Sequence, residues 1–214
     1  MKKFTLLSMA CICLSSISFS QVNKGSVLLG GGISLYSQNS ESGTFENKSR
    51  GFAVYPSIGL VTKENIVVGF RGNYGYSKSD YNSTPPQEQK DNSYGVGIFL
   101  RKYKPLGKSF FIFGEGGAGY NHRKNTQTSI PSKAILKENS FSINLYPGIA
   151  YAVSKRIHLE ASINNLINLS YFSSRTENQS TSGSSISKNS GVYFSSNANA
   201  SVPLTIGFRF VLGK

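Results

Sequence analysis

Residues 201–212 read S-V-P-L-T-I-G-F-R-F-V-L, and this stretch decides the fold. Every second residue from Val202 onward is apolar, whereas the intervening positions include Ser201, Thr205 and Arg209. A period of two residues predicts a β-strand with two chemically different faces. Aromatic residues on the apolar face are typical of a strand with lipid on one side and a wet or packed interior on the other. That face comprises Val202, Leu204, Ile206, Phe208, Phe210 and Leu212.

Seven further stretches alternate in the same way, so we expect eight strands. They span residues 25–37, 51–62, 66–77, 94–103, 109–121, 141–153 and 156–171. The connections at 62–65, 105–108 and 154–155 are short, whereas those at 38–50, 80–93, 122–139 and 172–195 are long and polar. Short periplasmic turns and long extracellular loops are typical of outer-membrane barrels. We therefore predict an all-β fold, an eight-stranded antiparallel up-and-down transmembrane β-barrel whose first and last strands pair.

The composition supports β structure and argues against a soluble β-sandwich. The chain of 214 residues contains 22 glycines, 14 phenylalanines and 12 tyrosines, and no tryptophan. A sandwich also alternates, but its outer strand faces are charged and wet, whereas most lysines here fall in loops and turns. The net charge of +13 is spread along the chain, so it does not predict nucleic-acid binding. Lipopolysaccharide and other outer-membrane lipids are the expected anionic neighbours.

The N-terminus predicts an export signal that occupies residues 1–20. Lys2 and Lys3 precede a mostly apolar stretch, and small residues precede a predicted cut before Gln21. Both cysteines, Cys11 and Cys13, lie in this segment, so the mature domain, residues 21–214, would contain no disulfide or cysteine metal site. Lipidation of Cys11 is a weaker alternative, because the apolar run before it is short.

Two further features point to a family. Tyr55-Pro56 and Tyr146-Pro147 each precede a predicted turn at the same offset, and residues 99–107 read F-L-R-K-Y-K-P-L-G. With the signal that ends Phe19-Ser20-Gln21, these features make the chain similar to small eight-stranded barrels of the outer membrane protein beta-barrel domain family, of the type common in Bacteroidetes. The resemblance implies a location in the bacterial outer membrane and implies no particular activity.

If the apolar faces contact lipid, the opposite faces turn into the barrel. An eight-stranded barrel has room only for side chains, and charges in so narrow a space must pair. We therefore expect a structural charge network in which arginines bridge Glu115 and Glu160. The predicted members are Arg71, Arg101, Glu115, His158, Glu160 and Arg209, and the inward face also includes Tyr55, Tyr103 and Tyr146.

The sequence predicts no catalytic, cofactor or metal site. His158 and Glu160 share a strand face and could act as base and orienting group, but no nucleophile motif accompanies them. Our leading hypothesis is a non-enzymatic, monomeric outer-membrane protein with a structural or adhesion role, whose loops contact an extracellular ligand or protein. The alternatives are a narrow porin-like channel for small or hydrophobic solutes and a lipid-modifying enzyme.

Overall fold

The computed structural model describes residues 22–42, 45–163, 166–181, 183–196 and 204–213. The export signal, its cleavage site and residues 201–203 of the last predicted strand lie outside this part of the chain. Within it no helix has the length and hydropathy needed to cross a bilayer. The described ranges form twelve β-strands: β1 (Val27–Gly31), β2 (Ile33–Ser42), β3 (Phe45–Val54), β4 (Ser57–Lys63), β5 (Ile66–Asn82), β6 (Gln87–Pro105), β7 (Phe110–Ser129), β8 (Ser132–Ala152), β9 (Ile157–Ile163), β10 (Ile167–Ser180), β11 (Gly183–Ser196) and β12 (Leu204–Leu212).

The twelve segments form one antiparallel sheet, and eight of them close into a ring. At the turn end the ring runs β8–β7–β6–β5–β4–β1–β12–β9 and returns to β8. The closing ladder joins β1 to β12, from Val27 opposite Leu212 to Gly31 opposite Phe208. Lipid cannot satisfy the backbone groups of a free sheet edge. This ladder closes the sheet at the turn end, so no strand edge is free there. The predicted pairing of the first strand with the last is thus confirmed.

The apolar faces point outward, as predicted. Phe70, Val96 and Ile206 are each about two-thirds exposed, whereas Val67 and Phe99, on the opposite face of β5 and β6, are buried. On β7 the outward band runs from Phe110 to Tyr120. Ten steps of about 3.3 Å, at a tilt of about 40°, span about 25 Å along the barrel axis, which is the height of a membrane band.

Aromatic residues mark both borders of this band. Near the turn end, the rings of Phe110 and Tyr151 lie 4.7 Å apart. At the other border, opposite positions on neighbouring strands place Tyr120 beside Phe141, and Phe141 beside Tyr171. Aromatic girdles at the two lipid–water interfaces are characteristic of transmembrane barrels.

The prediction that the four long polar stretches are loops is wrong. Strands β2/β3, β5/β6, β7/β8 and β10/β11 continue as hairpins beyond the second aromatic girdle. The β7–β8 ladder, for example, runs without interruption to Ser129 opposite Ser132. Both faces of these extensions meet water, so their residues need not alternate between apolar and polar. The period of two that reveals a strand in the sequence is therefore missing there.

The buried core lies at the turn end of the lumen. Its members come from nearly every strand of the closed ring and from the segment before β1, which places Val22 inside. The backbone N–H of Asn65 donates to Val22 O at 3.2 Å and fastens this segment to the β4–β5 turn. The core comprises Val22, Leu28, Val61, Val67, Phe99, Tyr103, Phe111, Phe113, Ala150, Ala152 and Val211.

Candidate functional site in the barrel lumen

Directly above this core the lumen contains a network of charged side chains. Strand pairing explains why they meet: Arg101 on β6 lies opposite Glu115 on β7, and Arg209 on β12 lies opposite His158 on β9. Strand alternation turns Glu160 to the same side as His158. The structure brings Arg71, Arg101, Glu115, Glu160 and Arg209 together in one set of ion pairs.

Glu115 is the first centre of the network. Its Oε2 accepts a hydrogen bond of 2.6 Å from Arg101 Nε, and Arg101 Nη2 lies at 2.6 Å from the same oxygen. Its Oε1 accepts a hydrogen bond from the Tyr146 hydroxyl and lies 2.8 Å from Arg71 Nη2. Each oxygen of this buried carboxylate therefore has a charged partner, as burial of a charge requires.

Glu160 is the second centre. Arg101 Nη1 donates to both of its oxygens at 2.7 Å, and Arg209 Nε donates to Oε1 at 2.9 Å. The Tyr103 hydroxyl also donates to Oε1 at 2.9 Å and accepts a bond from Arg101 Nη1. Arg101 thus bridges the two carboxylates and is only 3% exposed.

Three guanidinium groups against two carboxylates leave the network with one positive charge. Arg71 is its most accessible member, because its side chain is 28% exposed whereas those of Arg101 and Glu115 are 3% exposed. The surplus charge can thus be solvated at Arg71, on the side of the lumen that opens to water. The deeper groups balance one another in a space where an unpaired charge would be costly.

Aromatic rings form the floor under these charges. The Arg101 guanidinium carbon lies 4.0 Å from the centre of the Phe113 ring, and the Tyr103 ring packs against Phe113 and Phe111 with centroids 5.6 and 6.0 Å away. A guanidinium over an aromatic face is stabilised by the ring quadrupole. Together the charges and rings fill the lumen with side chains at this level.

Inward glycines make room for these bulky groups. A Cβ at Gly117 would collide with the Arg71 guanidinium, and one at Gly148 would collide with the Phe113 ring. The glycine-rich stretch 114–119 therefore includes a position that accommodates a side chain from β5, two strands away.

His158 lies beside the network without a hydrogen bond at Nδ1. It is 5% exposed, and its ring stacks on Phe111 with centroids 5.7 Å apart. The prediction that His158 belongs to the ion-pair network is therefore wrong, because its side chain packs as an aromatic ring beside the charges. Tyr55, also expected to face inward, is 49% exposed.

Pattern reading missed the aromatic floor. The expected inward faces were polar, yet Phe99, Phe111 and Phe113 are all buried. The signal was present in residues 110–113, F-F-I-F, where the alternation that sends Phe110 outward sends Phe111 and Phe113 inward.

No cluster of three or more metal-ligating side chains occurs in the ranges that the structure describes.

Residues 4–194 match the sequence family described as outer membrane protein beta-barrel domain. The chain belongs to this family. Its location is therefore the bacterial outer membrane, as the resemblance implied. The finer assignment to a Bacteroidetes type stays a prediction. Among curated proteins none matches the chain.

Three solved structures of outer-membrane proteins are among those similar to this chain, and OprG, with a TM-score of 0.50, shares the barrel fold. The crystal structure of the outer membrane protein OprG from Pseudomonas aeruginosa is 11% identical, covers 93% of this chain and 100% of its own, and has a TM-score of 0.50. A major outer membrane protein from Thermus thermophilus is 12% identical over 87% of this chain and 98% of its own, with a TM-score of 0.48. The translocator domain of the autotransporter NalP from Neisseria meningitidis is 16% identical over 100% of this chain and 79% of its own, with a TM-score of 0.46.

Proposed function

We propose that this barrel is a non-enzymatic, monomeric membrane anchor that displays its polar hairpins outside the cell for adhesion or interaction. The observation that carries the proposal is the filled lumen. Arg101, Glu115 and Glu160 are each at most 8% exposed, and the aromatic floor lies directly beneath them. A lumen filled with side chains is better suited to a structural scaffold than to an open channel.

The hairpins supply the surface for interaction. Strand β7 continues past the girdle residue Tyr120 as far as Ser129, which corresponds to about 23 Å along the barrel axis at the spacing and tilt used above. The charges of the hairpins form short ladders, such as Lys78 between Asp80 and Glu88 at 3.0 and 2.6 Å. Paired strands present such groups at regular spacing to a protein or carbohydrate partner.

The geometry of His158 and Glu160 supports the non-enzymatic part of the proposal. Glu160 is held by Arg101 and Arg209, so it is poorly placed to orient a histidine base. His158 is stacked on Phe111 and buried from the outer, lipid-facing surface. A lipid substrate would have to enter the packed lumen to reach either group.

A narrow channel is the second candidate, and one observation favours it. The lumen beyond the network is polar, since Asn73 donates to Asn121 at 2.9 Å. Arg71 joins that polar region to the network. Conduction would require the side chains around Arg101 to move aside.

Planar-bilayer recording separates the two candidates. We expect no steady current from the wild-type protein, whereas the double variant Arg101→Ala and Phe113→Ala, which removes the bridge and part of the floor, should conduct. A control with two comparable replacements at the hairpins, Arg175→Ala and Ile186→Ala, should stay silent. A steady wild-type current would contradict the plugged scaffold and favour the channel.

Surface labelling tests whether the hairpins lie outside the cell. An epitope inserted between Ile130 and Pro131, in the β7–β8 turn, should be labelled on intact cells. The same epitope inserted between Leu106 and Gly107, in the opposite β6–β7 turn, should be labelled only after the outer membrane is opened. The reverse result would invert the barrel and remove the hairpins from the cell surface.

A further inference from the structure

The turn end of the barrel carries an excess of positive charge. Among the residues that the structure describes, seven exposed cationic side chains and one exposed carboxylate, Glu64, lie in or next to its turns. We call the cations the basic rim: Lys24, Lys63, Lys102, Lys104, Lys108, Lys155 and Arg156.

The hairpin end is different, because many of its cations are neutralised. Lys90 pairs with Glu88 at 2.7 Å, Arg123 with Asp91 at 2.6 Å, and Arg175 with Glu177 at 3.1 Å. In the described ranges, by contrast, no ion pair joins a carboxylate to the basic-rim residues Lys24, Lys63, Lys102, Lys104, Lys108 or Arg156. A set of like charges with so few counter-charges is unfavourable unless something anionic lies nearby.

Two of these lysines stand where the lipid-facing band ends. Lys102 and Lys104 continue the outward face of β6 after Leu100, and both are exposed. The residue opposite Lys102 is the apolar Ile66 on β5, and the residue opposite Lys104 is the apolar Ile112 on β7. A lysine in this position lays its methylene stem along apolar surface and extends its ammonium group to the headgroup layer.

We propose that the basic rim binds the phosphate groups of anionic phospholipids in the periplasmic leaflet of the outer membrane. This rests on the orientation in the proposed function, with the turn end in the periplasm. Lys102 and Lys104 lie on the outer wall of the barrel at headgroup depth, which a lipid reaches more readily than a periplasmic polymer does. Basic residues beside an anionic membrane surface add binding energy residue by residue.

The test compares two triple variants that each remove three positive charges. The first is Lys102→Gln, Lys104→Gln and Lys108→Gln in the rim. The matched control is Lys124→Gln, Lys133→Gln and Lys188→Gln, three exposed hairpin lysines. Folded protein is reconstituted in nanodiscs that contain equal phosphatidylglycerol and phosphatidylcholine, and the lipids retained after extraction are counted by native mass spectrometry. Heat-modifiable gel migration verifies that both variants are folded.

We expect the wild type and the control to retain phosphatidylglycerol preferentially, and the rim variant to lose about tenfold or more of that preference. Replacing the same three lysines by arginine should keep it, and raising the salt concentration should weaken it. An equal loss in both glutamine variants, or no preference in the wild type, would overturn the proposal. So would lysine-dependent co-sedimentation with peptidoglycan in the absence of a lipid preference. An inverted epitope pattern with an intact lipid preference would refute the orientation alone.

Discussion

Replacing Glu160 by Gln tests whether the lumen network stabilises the barrel as an electrostatic unit. The substitution keeps the size and shape of the side chain, so it leaves no cavity. It removes one of two negative charges that three guanidinium groups share, and the surplus positive charge rises from one to two. Arg101 and Arg209, which are 3% and 7% exposed, would then face a neutral amide in place of a carboxylate.

The structure sets the size of the effect. Glu160 accepts bonds of 2.7 and 2.9 Å from two cationic groups and one of 2.9 Å from Tyr103. Removing one partner of a buried ion pair typically costs about 3–5 kcal/mol. Because Gln keeps one acceptor oxygen, we expect about 3 kcal/mol, at the lower end of that range.

Glu177→Gln is the matched control. Glu177 pairs with Arg175 at 3.1 Å and Lys137 at 3.5 Å, but these partners are 48% and 45% exposed. Exposed ion pairs contribute about 0–1 kcal/mol. The same chemical change should therefore cost little on the β10–β11 hairpin.

Urea unfolding in lipid vesicles, followed by gel migration and circular dichroism, measures both effects. At a denaturant slope of about 2 kcal/mol per molar, the Glu160 variant should unfold about 1.5 M earlier and the control within about 0.5 M of the wild type. Adding Arg209→Gln to Glu160→Gln should recover part of the loss, since it lowers the surplus charge again. Equal shifts for the two single variants would refute the electrostatic reasoning.

Contacts at Gly148 and at Glu88 give the remaining predictions. Gly148→Ala should destabilise the barrel by about 1–3 kcal/mol, because its methyl group would overlap the Phe113 ring, and urea unfolding measures this. Hydrogen bonds from Lys78 and Lys90 lower the pKa of Glu88 from 4.5 to about 2, so ¹³C NMR should show its carboxyl titrating near that pH. The stabilisation from this lowered pKa is present above about pH 4.5 and is lost as the pH falls towards 2. Lys78→Gln should raise that midpoint towards 4.5, and an unchanged midpoint would contradict the assignment.

The filled lumen also explains how so many charges occur inside a small membrane barrel. Each carboxylate of the network has at least two cationic partners and one tyrosine hydroxyl. Two of the arginines, Arg101 and Arg71, in turn lie over aromatic rings. Such a cluster is a structural element of the fold, comparable to a hydrophobic core in a soluble domain, with ion pairs supplying part of the cohesion.

The sequence by itself determined the parts of this protein that repeat with a period of two. Alternation within the membrane band predicted the lipid-facing residues and the inward direction of Arg101, Glu115 and Glu160. The alternating strands with short and long connections predicted a barrel whose first and last strands pair, and the ladder from Val27 to Leu212 supplies that pairing. Lipid permits only one of the two strand faces to be polar, so the membrane itself imposes this pattern on the sequence.

Only the tertiary structure decided which inward groups meet and where the strands end. Arg101 and Glu160 are 59 residues apart, and no spacing rule predicts that the curvature of a closed sheet brings them to 2.7 Å. The sequence did not reveal the hairpins beyond the girdle, because water accepts polar residues on both faces of a strand. Ser129 and Ser132, which pair at the tip of the β7–β8 hairpin, therefore carry no strand signal. For His158, the alternation along the strand predicts that the side chain points inward. Its stacking on Phe111 depends on how the lumen is packed, which the sequence does not show.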